Sequence, residues 1–128
     1  MVPRPYWVSF VEQIKLAGGT PVMVDTVNHQ LDATAMERAM NEKTRALVIN
    51  SPNNPTGAVY KEKDMKEVLR LAADCGLYVI SDEAYRFFVY DGLNPQTLFA
   101  LMVDPQRLII TGSFSKQYNM TGFRVGYA

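Results

Sequence analysis

The chain has 128 residues, 48% of them hydrophobic and 20% charged, enough for one domain with a moderate core. Its 13 lysines and arginines balance 13 aspartates and glutamates, which removes the electrostatic case for nucleic acid or an anionic membrane as partner. A single cysteine, Cys75, excludes an internal disulfide and suits a reducing compartment. His29 is also alone, in a polar stretch, and reads as a loop residue; no metal ligand set is expected. The longest apolar run, Leu98 to Val103, is far too short to span a bilayer, and the start lacks a leader pattern, so a cytoplasmic location is expected. The opening Met1-Val2-Pro3-Arg4-Pro5 reads as connector and the close at Gly126-Tyr127-Ala128 falls within a strand-like run, so both ends look cut.

Helical and strand periods alternate along the chain, the pattern of an α/β fold with a mostly parallel sheet between helical layers. A first helix is predicted from Trp7 to Ala17, with Phe10, Val11, Ile14 and Ala17 on one face and Gly18-Gly19 as its stop. Pro21 to Val24 reads as a short strand, and Asp32 caps a second helix carrying Met36, Ala39 and Met40. Ala46-Leu47-Val48-Ile49 is a continuous apolar run, as expected of a strand buried on both faces. An amphipathic helix follows from about Lys61 to Cys75, with Met65, Val68, Leu69, Ala72 and Cys75 on its apolar face. Leu77 to Ile80 is the next buried strand; a short helix is predicted over Thr97 to Met102, then a third strand at Leu108-Ile109-Ile110.

Each buried strand empties into a polar cluster. The first runs into Asn50-Ser51-Pro52-Asn53-Asn54-Pro55-Thr56-Gly57, the second into Ser81-Asp82-Glu83-Ala84-Tyr85, the third into Ser113-Phe114-Ser115-Lys116. The carboxyl ends of parallel strands line one crevice in an open α/β sheet, and ligands bind there. Three clusters therefore converge on one edge.

A lysine amine flanked by hydroxyls and a guanidinium suits a phosphorylated aldehyde held as a Schiff base: either Lys116 forms the imine, with Ser113 and Arg124 taking the phosphate, or Lys116 is a solvated surface lysine. Freed from the imine, Lys116 can shuttle a proton between two carbons. Asp82 follows an apolar strand, where a bare carboxylate is costly unless paired. It either holds a pyridinium nitrogen cationic or serves as a helix cap or acceptor for backbone amides. Tyr85 either sets its hydroxyl against the ring's phenolic oxygen or is a half-buried aromatic with its tip in water. Asn54 brings an amide donor to the same oxygen, in a loop whose prolines and Gly57 force one path; the Asn54-Pro55 bond is expected to be cis. The alternative for Arg124 is a surface pair with a carboxylate.

In order and separation these motifs closely resemble the fold-type I pyridoxal-phosphate aminotransferases of class I/II over nearly the whole chain. The resemblance implies Lys116 as the Schiff-base lysine, Asp82 on the pyridine nitrogen, Asn54 and Tyr85 on the phenolic oxygen, and Ser113 and Arg124 on the phosphate. Pro5-Tyr6-Trp7-Val8-Ser9 resembles the aspartate-aminotransferase branch, which sets Trp7 beside the cofactor ring; otherwise Trp7 is a core residue at a helix start. Residues 1–128 then form part of a three-layer α/β/α cofactor-binding large domain, without its upstream glycine/serine-rich phosphate loop, its small domain, or the late arginine that grips the substrate carboxylate. Amino acids and 2-oxo acids are the implied substrates, and the complete protein is implied to be a homodimer. A strand just before Pro3 is implied between the Pro21–Val24 and Ala46–Ile49 strands, and its loss would leave unpaired edges. The alternatives are a lyase of the same fold and a silent remnant that only folds or dimerises; no glycine-rich fingerprint supports a nucleotide-binding domain.

Overall fold

The computed structural model describes residues 1–94, 97–102 and 104–128. Val103, the last residue of the longest apolar run, lies outside them. The principal elements, in chain order, are β1 (Val2–Arg4), α1 (Ser9–Leu16), β2 (Met23–Asp25), α2 (Ala33–Ala39), β3 (Ala46–Asn50), α3 (Glu62–Asp74), β4 (Tyr78–Asp82), β5 (Leu108–Ser113), α4 (Phe114–Gln117) and β6 (Gly126–Tyr127).

The continuous apolar runs are central parallel strands. β3, β4 and β5 pair in parallel, and β6 closes this sheet as an antiparallel edge on β5. Within β3 the side chains alternate between two cores. Leu47 and Ile49 join Met36, Met65, Val68, Leu69, Ala72 and Val79 under α2 and α3, whereas Val48 faces Val2, Phe10 and Ile14 under α1. Helices thus cover both faces, giving three layers. The α1 layer is narrow and stops short of β5, where Ile109 is 43% exposed.

β1 and β2 form a short parallel pair. The Met1 carbonyl accepts from Val48 N–H at 3.0 Å, and the Met1 amine donates to Ala46 O at 2.6 Å, which joins this pair to β3. The strand expected before Pro3 is therefore Val2–Arg4 itself. It lies between β2 and β3, so the unpaired edges expected there do not occur.

The other boundaries shift for local reasons. α1 begins at Ser9, leaving Trp7 outside the helix with its carbonyl accepting from Phe10 N–H. The strand expected at Pro21–Val24 is registered at Met23–Asp25, opposite Val2–Arg4. Asp32 caps α2, its carboxylate accepting from Ala35 N–H at 2.9 Å. The short helix expected over Thr97–Met102 is one 3₁₀ turn at Leu98–Ala100, capped by the Thr97 hydroxyl. Cys75 is not a core residue. It sits at the carboxyl cap of α3 and is exposed, because the helix ends at Asp74 and Gly76, at φ +63°, turns the chain toward β4. His29 occupies, with Asn28, a tight turn between the bridged residues Val27 and Gln30, as its polar setting suggests. Among the described residues no helix is long and apolar enough to cross a membrane.

Leu69 is 1% exposed between α3 and the sheet, and Leu16 at the end of α1 is 91% exposed. Leu69→Ala should cost about 2–5 kcal/mol and Leu16→Ala less than about 0.5 kcal/mol, read from urea denaturation midpoints. Equal losses would overturn this placement of the core.

Candidate active site

The register of the central ladder decides what the site contains. Asn50 pairs with Asp82 and Asp82 with Thr111, so the last residues of β3 and β4 stand abreast of Thr111, two residues before the end of β5. A cavity of about 400 Å³ opens beyond them, lined by Trp7, Asn50, Asn54, Asp82, Ala84, Tyr85, Thr111, Gly112, Ser113, Ser115, Lys116, Thr121 and Arg124. Every residue singled out from the sequence, namely Trp7, Asn54, Asp82, Tyr85, Ser113, Lys116 and Arg124, lies on its wall.

The loop after β3 is held from behind. Asn53 points away from the cavity and is buried: its amide nitrogen donates to Pro5 O at 3.2 Å and to the Tyr60 hydroxyl at 3.3 Å, while its oxygen accepts from the Thr56 hydroxyl at 2.8 Å. Tyr60 N–H donates to the Ser51 hydroxyl, and Gly57, at φ +71°, closes the turn with its N–H on Asn53 O. Burial pushes the Tyr60 phenol up to about 12, with the Asn53 contact acting in the opposite direction. The Asn54-Pro55 bond is cis, as the sequence suggests, and so are Ser51-Pro52 and Arg4-Pro5. Asn54 is left facing the cavity.

Asp82 ends β4 half-buried. One carboxylate oxygen accepts from Ala84 N–H at 3.0 Å; the residue starts a turn and caps no helix. Of the readings open from the sequence, acceptance from a backbone amide is realised, and the carboxyl still lines the cavity. Burial raises its pKa above the ordinary value, the Ala84 amide opposes this, and the neighbouring Glu83 carboxylate adds to it. Glu83 itself is turned away and buried, accepting from the Ser81 and Thr97 hydroxyls and from Leu98 N–H, with Arg86 at 3.7 Å.

On the third strand, Ser113 ends β5 at the cap position of α4 without a capping hydrogen bond, so its hydroxyl is not used in starting that helix. One helical turn carries Lys116 over the cavity, its Nζ 5.7 Å from the centroid of the Tyr85 ring. Arg124 is in the left-handed region at φ +54°, and one guanidinium nitrogen donates to Thr121 O at 3.1 Å. It forms no ion pair among the described residues, so the surface pairing considered from the sequence is not found. Trp7, 38% exposed, stands edge-on to Phe10 at 5.5 Å and forms part of one wall. Gly112 allows a close approach: a Cβ there would collide with the Tyr127 ring of β6.

Asn50, Thr111, Ser115 and Thr121 are lining residues that motif reading passed over. Asn50 carried a usable signal, since it follows an apolar strand just as Asp82 nearly does; the others carried none.

An amine, a carboxylate and a guanidinium thus meet in one crevice at the carboxyl edge of an α/β sheet, the place where proteins of this fold class bind ligands. The aminotransferase class I and II family matches residues 1–128, and the chain belongs to that family. It is 38% identical to an aspartate aminotransferase of Bacillus sp. (strain YM-2), covering 100% of this chain and 34% of the relative. Against aromatic-amino-acid aminotransferase 2 of Thermococcus litoralis identity is 42%, covering 99% and 33% respectively. Among solved structures, N-succinyldiaminopimelate aminotransferase from Mycobacterium tuberculosis superposes with a TM-score of 0.94 at 35% identity, over 99% of this chain and 34% of that one. The aspartate aminotransferase from Thermotoga maritima gives 0.92 at 41%, over 98% and 34%. The chain thus spans about a third of the length of these relatives.

Because burial disfavours its ionised form, Asp82 binds a proton more tightly in the folded chain than in the unfolded one. Its contribution to stability is full below the ordinary carboxylate pKa and is lost as pH rises through the raised folded value. Asp82→Asn keeps an oxygen for the Ala84 amide, so the unliganded variant should be more stable than the parent at pH 7, with an advantage that shrinks toward pH 3. Urea midpoints at both pH values check this; an advantage that grows in acid would contradict it.

Proposed function

We propose that this chain forms the cofactor-gripping part of a pyridoxal-phosphate-dependent aminotransferase acting on an amino acid and a 2-oxo acid. The observation that carries the reading is the convergence on one cavity of Asp82, from the end of β4, with Lys116 and Arg124, from the segment that follows β5. The donor set fits the group. Arg124 has no acid partner among the described residues, the Ser113 hydroxyl is uncommitted to a cap, and burial leaves Asp82 in want of a cation. When bound, pyridoxal phosphate supplies an aldehyde that condenses with an amine and a cationic ring that draws in electrons.

The chain's own residues then divide the work. Lys116 Nζ would hold the cofactor's aldehyde carbon and, when free, would be the base that takes a proton at one carbon and returns it at another. A base so placed is worth roughly 10²–10⁴ in rate. Asp82 holds a proton on the ring nitrogen by being the acid most in need of a cationic neighbour. The Asn54 amide and the Tyr85 hydroxyl donate to the phenolic oxygen, Ser113 and Arg124 hold the phosphate, and Trp7 shields one face of the ring from water. Lys116 and Arg124 are the lysine and arginine lining the cavity, and both are assigned to the cofactor. Among the described residues that leaves no lining cation for a substrate α-carboxylate. A homodimer and a cytoplasmic setting complete this reading.

Pyridoxal phosphate added to the purified chain and trapped with borohydride should leave its mass on the peptide containing Lys116, and Lys116→Arg should abolish the adduct. Arg124→Gln should weaken binding about 10- to 100-fold, the worth of charge-assisted hydrogen bonds. Adducts confined to surface lysines, or none, would refute the site. Exchange of an amino group between amino acid and 2-oxo acid should be absent or very slow for this chain alone, and turnover at the rate of a complete enzyme would contradict that.

A further inference from the structure

The β3–β4 ladder ends on the pair Asn50–Asp82, and beyond it the two segments part, one into the 51–60 loop and the other toward Tyr85. The Asn50 side chain is 5% exposed and makes hydrogen bonds to both. Its amide nitrogen donates to Asp82 O at 3.1 Å, and its oxygen accepts from Asn54 N–H at 2.8 Å. Among the described residues no other hydrogen bond joins the 51–60 loop to residues 82–85. A carboxamide is the side-chain group that donates on one arm and accepts on the other at this reach: a carboxylate cannot donate, an ammonium cannot accept, and a serine is too short to reach both.

We propose that Asn50 is a positioning residue, its carboxamide fixing Asn54 and Asp82 relative to one another across the cavity, an inference that rests on the cofactor reading given above. Two groups that hold one rigid ring must keep their separation to about half an ångström, and a loop residue keeps it only when tied to the strand that bears the other. Asn50 is that tie. It is attached to the backbone of both residues, so it leaves their side chains free for the ring.

Two variants separate the arms. Asn50→Ala removes both hydrogen bonds; Asn50→Asp keeps the acceptor for Asn54 N–H but sets an oxygen against Asp82 O. In the cofactor-free chain, amide exchange followed by NMR should show Asn54 N–H exchanging about tenfold faster in N50A and near the parental rate in N50D, with the core amide of Val68 as a control for global opening. Pyridoxal phosphate, used as the probe, should bind about tenfold more weakly to both variants, and the pH midpoint of its visible absorption should move in both, which a merely destabilised fold would not cause. If N50A does not fold, the near-isosteric N50D carries the binding and titration arms. An unchanged Asn54 rate in N50A, or parental affinity and midpoint in N50D, would overturn the proposal. If the parent chain takes up no pyridoxal phosphate while the exchange rates behave as expected, the cofactor reading fails and Asn50 remains only a tether between two segments.

Discussion

The constraint on which this molecule turns is the parallel register of β3, β4 and β5. Leu47 and Ile49 are buried on one face and Val48 on the other, with Val79 beside them in the next strand. A slip of one residue would exchange the faces, setting Val48 against α2 and α3 and sending Leu47 and Ile49 to the narrow α1 layer. Apolar packing therefore fixes the ladder, and the ladder fixes which polar residues stand abreast where β3 and β4 end. Asn50, Asp82 and Thr111 meet at one edge because the hydrophobic residues before them admit one alignment.

What lies beyond that edge costs stability. Asp82 is half-buried with a backbone amide as its partner and an acidic neighbour in Glu83, so its ionised form is disfavoured. Arg124 keeps a left-handed backbone, unusual for a side chain of its size, and donates to a carbonyl three residues back. Local choices that disagree with stability are expected where a chain prepares for a ligand. The surroundings supply the compensation. Asn53, Tyr60 and Ser51 brace the loop after β3 from its far side, and Glu83 secures the turn after β4 through Ser81, Thr97 and Leu98.

The described lining of the cavity comes from a chain that spans about a third of its relatives' length. A cofactor cradle and a substrate cradle make different demands. On the proposed reading the first needs an amine, an acid and a phosphate clamp, the parts given to Lys116, Asp82, and Ser113 with Arg124. The second needs a further cation, and among the described residues none lines this cavity besides Lys116 and Arg124. On that reading, binding of the cofactor and turnover of substrate are separable demands, and the arrangement favours the first.

By itself the sequence determined the fold class, the three polar clusters and the chemistry they suggest. Continuous apolar runs followed by Asn-Pro, Asp-x-x-Tyr and Ser-x-x-Lys patterns are local properties, and burial of a strand on both faces shows in its own composition. The same local view placed Cys75 on the apolar face of α3, since helical spacing does not record where a helix stops. It also read Val2–Arg4 as connector, because three residues carry no period and become a strand only between β2 and β3. Tertiary structure alone decided that Asn50 ties Asn54 to Asp82 and that Asn53 braces the loop without reaching the cavity. Both residues are asparagines in one polar stretch, and their roles part only when distant segments, β4 and the residue after β1, supply hydrogen-bond partners from more than thirty positions away in one case and nearly fifty in the other.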